Sequence, residues 1–268
     1  MKENLGLIAG GGGLAFAIAR EARAKGVERI VAVAFPGQTP AELERYVDEI
    51  HWIHVGRLGA LIKTFKRAGV TEAVMAGRLD PSLVISKLRL DVRMIALAAR
   101  VPDRRADTVL KAIADEMARD GIRLLDSTSY LSSCLAVKGV MTGRAPGKEE
   151  MEDVSFGFEI AREIARLDIG QTVVVKKRAV VAVEAMEGTD EAIRRAALLC
   201  PRAMVVVKVS RPEQDMRFDV PVIGERTIDL LVEFGAAALG LEAGRTIILD
   251  KDAAMKKADG AGIAIVGV

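Results

Sequence analysis

Residues 6–19 read GLIAGGGGLAFAIA, an apolar run that breaks at Gly10–Gly13 and resumes from Leu14 with helical spacing. Strand, glycine turn and helix in that order open a βαβ unit. Gly10, Gly12 and Ala15 fit the dinucleotide-binding spacing G-x-G-x-x-G/A. Such a turn can bring the backbone N–H groups of Gly11, Gly12 and Gly13 to phosphate oxygens at the positive end of a helix. An NAD site also needs an acid roughly 20 residues on, at the tip of the second strand. Here that strand ends VAVAFPGQ, residues 31–38, with Glu28 ahead of it and no acid at its tip. The turn therefore reads as a phosphate or nucleotide contact, or as a tight turn holding no ligand. An NAD(P)-dependent oxidoreductase stays as an alternative resting on the spacing alone.

Outward from this turn the first half alternates strands and helices. LGLIA, RIVAVAF, HWIHV, EAVMAG and IRLLD read as strands. Helical spacing fills Leu14–Lys25, Leu58–Ala68, Val84–Arg100 and Asp107–Arg119, with Leu58, Leu61, Ile62 and Phe65 on one face. Nearly continuous apolar strands alternating with helices predict an α/β fold with a doubly wound, Rossmann-like parallel sheet. The second half predicts a distinct α/β domain. A helix is expected over about Glu149–Arg166, then a hairpin turning at Lys177-Arg178, then a helix with Thr189 as its N-cap. AMVVVKVS reads as a strand, TIDLLVEFG as a helix ending at Gly235, and the closing stretch as strand, helix, strand. The expected domains are 1–130 and 131–268.

Bulk properties narrow the function. The chain has 268 residues, and 39 basic against 37 acidic side chains leave a net charge of +2, which requires no polyanionic partner. Aromatic content of 4% leaves few rings for base stacking, so no nucleic-acid role is expected. Cys134 and Cys200 form no CxxC and read as reduced thiols. No signal core and no long apolar run appear, so a cytoplasmic location is expected, with peripheral contact at a membrane surface left open. A homodimer also stays open.

Three polar stretches could carry chemistry. MAGRLDPS, residues 75–82, should follow the fourth strand, placing Gly77, Arg78 and Asp80 near the glycine turn or in a solvated loop. VKVSRPEQDMRFDVPVIGERT, residues 207–227, holds Lys208, Arg211, Glu213, Asp215, Arg217 and Asp219 between two prolines. In extended chain Asp215, Arg217 and Asp219 share a face, which suits Mg²⁺ and a phosphate together as well as surface ion pairs. VEAMEGTDEA, residues 183–192, leads Glu184, Glu187, Gly188 and Thr189 into a helix N-terminus. His51 and His54 flank Trp52 without a third ligand, so zinc is not expected. No G-x-S-x-G and no P-loop motif is present.

Taken together, GLIAGGGGLAFAIAREARAKG, AVVAVEAMEGTDEAIRRA, KVSRPEQDMRFDVPVIGERT and LEAGRTIILD resemble the LpxI-type UDP-2,3-diacylglucosamine pyrophosphatases of lipid A biosynthesis. The resemblance runs nearly the whole chain, in the same order. It departs where the family usually has proline after the leucine of the glycine turn and this chain has Ala15. It implies two domains and Mg²⁺-dependent hydrolysis of UDP-2,3-diacylglucosamine to UMP and 2,3-diacylglucosamine 1-phosphate (lipid X) in a crevice between them. The catalytic aspartate of the family motif falls in QDMRFD, at Asp215 or Asp219, and these two are the expected metal ligands. Gly11, Gly12, Gly13, Gly77, Arg78, Glu187, Gly188, Thr189, Lys208 and Arg217 are the expected substrate contacts. A non-catalytic nucleotide-sugar or lipid-binding module is the remaining alternative.

Overall fold

The computed structural model describes residues 4–80, 88–103 and 105–268. The chain forms two compact units, Met1–Leu131 with Asp215–Phe218, and Ser132–Gln214 with Asp219–Val268. Both are α/β, as the sequence predicts.

In the first unit, β1 (Asn4–Ala9), β2 (Arg29–Ala34), β3 (Glu49–Trp52), β4 (Glu72–Ala76) and β5 (Arg123–Leu124) form a parallel sheet in the order β3-β2-β1-β4-β5. The order reverses between β1 and β4, the switch point of a doubly wound sheet. Around it run α1 (Leu14–Ala24), α2 (Leu58–Arg67), α3 (Val92–Ala98) and α4 (Ala106–Arg119). The face predicted for α2 is the buried one: Leu58, Leu61, Ile62 and Phe65 enter the core with Val31, Val33 and Met117. Each such burial contributes about 2 kcal/mol. Within the described part of the stretch expected to be helical over Val84–Arg100, α3 runs Val92–Ala98, capped by Asp91, which accepts from Met94 N at 2.9 Å. Val84–Lys87, like Pro81 and Ser82 of MAGRLDPS, lie outside the described residues.

In the second unit, β6 (Gly139–Val140), β7 (Thr172–Lys176), β8 (Ala179–Val183), β9 (Val205–Lys208), β11 (Ala238–Leu241) and β13 (Ala264–Gly267) form a mixed sheet. Its order is β6-β13-β11-β9-β7-β8, with β9, β11 and β13 parallel. β10 (Val222–Ile223) and β12 (Ile247–Ile248) pair separately. One face is covered by α5 (Lys148–Arg166), whose Val154, Phe158 and Ala161 pack on Val173, Val175, Val205 and Val207. Gly157 lets α5 approach closely, since a Cβ there would meet Val207 Cγ2 at 2.8 Å. The other face carries α6 (Thr189–Leu199), α7 (Glu225–Glu233) and α8 (Lys251–Gly260).

The β7–β8 hairpin turns at Lys177-Arg178 as predicted, with φ of 52° and 56°. The buried Asp153 of α5 accepts from Lys177 N at 2.9 Å and from Arg178 N at 2.6 Å. α7 ends at Glu233, two residues before the predicted Gly235, whose φ of 60° lets Ala236 N reach Leu231 O. Cys134 and Cys200 are free thiols. Among the described residues no helix is long and apolar enough to cross a membrane.

Candidate functional site

The glycine turn at the end of β1 is engaged with the chain itself. Gly10 N donates to Ala76 O and Gly11 N to Arg78 O, both at 2.7 Å, and Arg78 N returns to Gly11 O at 3.1 Å. The Gly11 N–H, expected to face a phosphate, is thus engaged by Arg78 O in this structure. The glycines are required by this approach: a Cβ on Gly10 would sit 2.7 Å from Arg78 O, and one on Gly77 would fall on Gly11 O. Gly77 also holds a φ of 91°, where side chains are strained. Gln38 closes the same end of the sheet, accepting from Asp80 N at 2.9 Å and donating to Asp80 O at 3.3 Å. Gly12 stands apart. Its φ is 90° and nothing lies within 4 Å of where its Cβ would be. Gly13 precedes α1, which has no side-chain cap and no acid in its first turn.

The end of β9 in the second unit is built differently. Lys208 is 6% exposed and sits opposite Thr172 in the β7–β9 register. Its Nζ donates to Thr189 Oγ1 at 2.6 Å and reaches Thr172 Oγ1 at 3.4 Å. Thr189 Oγ1 donates to Glu184 Oε1 at 3.0 Å, and Glu184 Oε2 lies 3.9 Å from the ammonium. That Oε2 is buried with no hydrogen-bond partner among the described residues. Thr189 is corrected here: Gly188, at φ 86°, is the N-cap, and Thr189 is the first helical residue. Its hydroxyl turns from the helix end toward Lys208. Glu187 is drawn off to Arg195 at 2.5 Å and Ala185 N at 3.2 Å, and its carboxyl is held low chiefly by backbone hydrogen bonding and by Arg195.

Beyond Lys208 the chain is clamped. Glu242 Oε2 accepts from Ser210 N at 2.7 Å and from Ser210 Oγ at 2.5 Å. Arg211 N donates to Gln214 Oε1 at 2.7 Å, and its guanidinium holds Asp168 at 2.6 Å and Asp219 at 2.5 Å. Residues 215–218 then pack with the first unit. There they form a turn closed by Phe218 N to Asp215 O at 3.0 Å, which corrects the extended conformation expected of them. Arg217 donates to Asp215 three times, from N at 3.1 Å, Nε at 2.9 Å and Nη2 at 2.7 Å. That bonding holds the Asp215 carboxyl below its usual range, outweighing the opposing effect of burial. Ser127, 2% exposed, fixes the turn: its N donates to Met216 O at 2.9 Å, and its Oγ lies between Met75 O and Arg217 O.

These contacts bear on a divalent cation. Both oxygens of Asp215 are engaged by Arg217, and Asp219 Oδ2 by Arg211. Among the described residues no three His, Cys, Asp or Glu side chains gather as a metal site. A divalent cation held by Asp215 and Asp219 would compete with Arg217 and Arg211 for these oxygens. His51 pairs with Glu49 at 3.2 Å and has no metal-like neighbours among the described residues.

Thr172, Ser127, Ser210, Gln214 and Glu242 escape the sequence reading. Each is an ordinary polar residue whose role comes from the partner the fold brings to it. Only the Thr172–Lys208 pairing leaves a sequence signal, as the polar termini of two facing apolar strands.

The two units, a doubly wound parallel sheet and a mixed α/β sheet, define a two-unit α/β protein with polar side chains gathered at strand ends. The chain belongs to the LpxI family: the LpxI N-terminal domain matches residues 4–134 and the LpxI C-terminal domain residues 137–266. It is similar to the UDP-2,3-diacylglucosamine pyrophosphatase LpxI of Caulobacter vibrioides (strain ATCC 19089 / CIP 103742 / CB 15). The two are 34% identical over 284 residues, covering 98% of this chain and 97% of that one. Solved structures are more distant. The crystal structure of gox2253 is 13% identical with a TM-score of 0.34, covering 98% of this chain and 76% of that one. A biotin carboxylase–β,γ-ATP complex from Campylobacter jejuni is 14% identical with a TM-score of 0.29 over 72% of this chain. This chain covers only 41% of that structure, and at such scores neither carries an argument.

Proposed function

We propose that this chain hydrolyses the pyrophosphate bond of UDP-2,3-diacylglucosamine, yielding UMP and 2,3-diacylglucosamine 1-phosphate for lipid A biosynthesis in the cytoplasm. The observation that carries the reading is the 34% identity to the Caulobacter pyrophosphatase along 98% of this chain. Pyrophosphate cleavage needs positive charge at the phosphate oxygens and a group that orients the attacking water.

The buried Lys208 suits the first role. Its ammonium donates to Thr189 Oγ1, and its positive charge suits the charge that develops on phosphate oxygens. Gly188 and Thr189 begin α6 at that point, so the helix end adds to the same field. Asp215 suits the second role. Arg217 keeps it ionised, and a carboxylate held this low is a poor proton acceptor near neutrality, so it orients water rather than taking its proton. Asp219 is the second carboxylate of the motif. Gly12, Gly13, Gly77 and Arg78 are proposed as nucleotide contacts of the first unit.

The test is phosphorus NMR of the products formed from UDP-2,3-diacylglucosamine in ¹⁸O-labelled water. UMP and the lipid 1-phosphate are expected, with turnover requiring added Mg²⁺ and stopping in EDTA. Asp215→Asn is expected to lower kcat about a hundredfold, while its melting temperature falls only by the small loss of the Arg217 ion pair. Tight binding of the intact substrate without release of UMP overturns the reading in favour of a binding module.

A further inference from the structure

The first unit exposes one apolar face that no function assigned so far uses. Val92 is 84% exposed and Ile95 54%, and Ala96 and Ala99 continue the same stripe at helical spacing. Leu88 and Leu90, 44% and 46% exposed, precede α3 with their Cδ atoms leaning on Gly56. Clustered exposed aliphatics of this kind mark an interaction surface more often than isolated ones do.

The face is rigidly held from behind. Arg89 N donates to Val55 O at 3.0 Å and Asp91 N to Gly56 O at 3.2 Å. Asp91 Oδ2 accepts from Gly59 N at 2.7 Å while Oδ1 caps α3, so one carboxylate ties the starts of α2 and α3 together. The opposite side of α3 is buried through Leu97, with Met94 packed on the same core. Arg93 turns away from the stripe to Glu116 and Asp120. That leaves Arg89 and Arg100 exposed at its two ends, and Arg105 exposed beyond.

We propose that residues 88–100 dock this protein on the surface of an anionic lipid bilayer, with Leu88, Leu90, Val92 and Ile95 entering the interface and Arg89 and Arg100 pairing with lipid phosphates. Apolar residues flanked by cations match the two components of interfacial binding, acyl burial and attraction to anionic headgroups. A second copy of the chain fits less well, because a two-fold contact on this face sets arginine rims against each other. The inference rests on the proposed function, whose diacylated substrate resides in a bilayer.

The test is co-sedimentation of the full chain with vesicles containing phosphatidylglycerol, and with phosphatidylcholine vesicles alone. The wild type is expected to pellet with the anionic vesicles and to be released by salt. Val92→Glu with Ile95→Glu is expected to cut partitioning about tenfold, and Arg89→Gln with Arg100→Gln severalfold. Ile95→Trp is expected to raise it, which separates docking from any folding defect. Hydrolysis of detergent-dispersed substrate is expected to stay unchanged in all of them.

A wild type that stays in the supernatant overturns the proposal, as do charge variants that still pellet. Loss of detergent-phase hydrolysis in Val92→Glu with Ile95→Glu also overturns it, because the face would then be contacting substrate acyl chains. A wild type that pellets yet releases no UMP sinks the proposed function and leaves the docking surface standing.

Discussion

The end of β1 and the end of β9 both close an apolar parallel strand, and both attract attention in the sequence. At β1 the backbone approaches backbone: Gly10 and Gly11 hydrogen-bond to Ala76 and Arg78, and Gly77 fits only without a side chain. At β9 side chains meet side chains, with Lys208, Thr172, Thr189 and Glu184 drawn into one buried cluster. Much of a glycine motif can thus be required by the chain's own crossing, whereas a buried cation beside an unmatched carboxylate oxygen points outward to chemistry. The contrast predicts that substitutions at β1 change stability and substitutions at β9 change turnover.

Lys208→Met should give the largest effect. Removing the cation strands Glu184 in a buried position, so stability should fall by about 3 kcal/mol in denaturant titrations. Turnover of the fraction that remains folded should fall roughly a hundredfold in UMP-release assays. Near-normal turnover in this variant would break the comparison. Gly77→Ala should also destabilise by about 3 kcal/mol in the same titrations, through its positive φ and the overlap with Gly11 O. Gly12→Ala sharpens this half of the comparison. With open space around its Cβ it should lose only about 1 kcal/mol, for backbone strain alone.

Arg217→Gln tests the carboxylate between these extremes. The folded-state pKa of Asp215 lies below the ordinary value of 3.8, so its pairing stabilises the fold above that value and is lost as pH falls through the lowered one. The variant should be less stable by about 1 kcal/mol at neutral pH, a partly exposed pair being screened by solvent. The difference from wild type should vanish in acid, where both carboxyls are protonated. Thr189→Ser, which keeps the hydroxyl between Lys208 and Glu184, should change stability by only about 0.5 kcal/mol and leave turnover intact.

The same contrast explains how much could be read from the sequence. The strands and helices were legible because their apolar periodicity is local, as in Leu58, Leu61, Ile62 and Phe65 of α2. The hairpin at Lys177-Arg178 and the stop at Gly235 were legible for the same reason. Lys208 and Thr189 could be picked out individually, but their contact depends on where β9 falls relative to α6. The extended reading of 215–219 failed because Arg217 folds back on Asp215 and Ser127, nearly 90 residues earlier, fixes the turn. Gln38 could not be foreseen at all, since its partner Asp80 arrives through the sheet order.

The hairpin that closes β7 and β8 has a consequence for assembly. Asp153 recognises two consecutive amides, those of Lys177 and Arg178, from a different element of the chain. If β8 slid by two residues against β7, those amides would move off and leave a buried carboxylate unmatched, a loss of several kcal/mol. Helix α5 therefore acts as a register gauge for the outermost strand of the sheet. A single acid in a helix thereby guards this sheet against a slip of its edge strand.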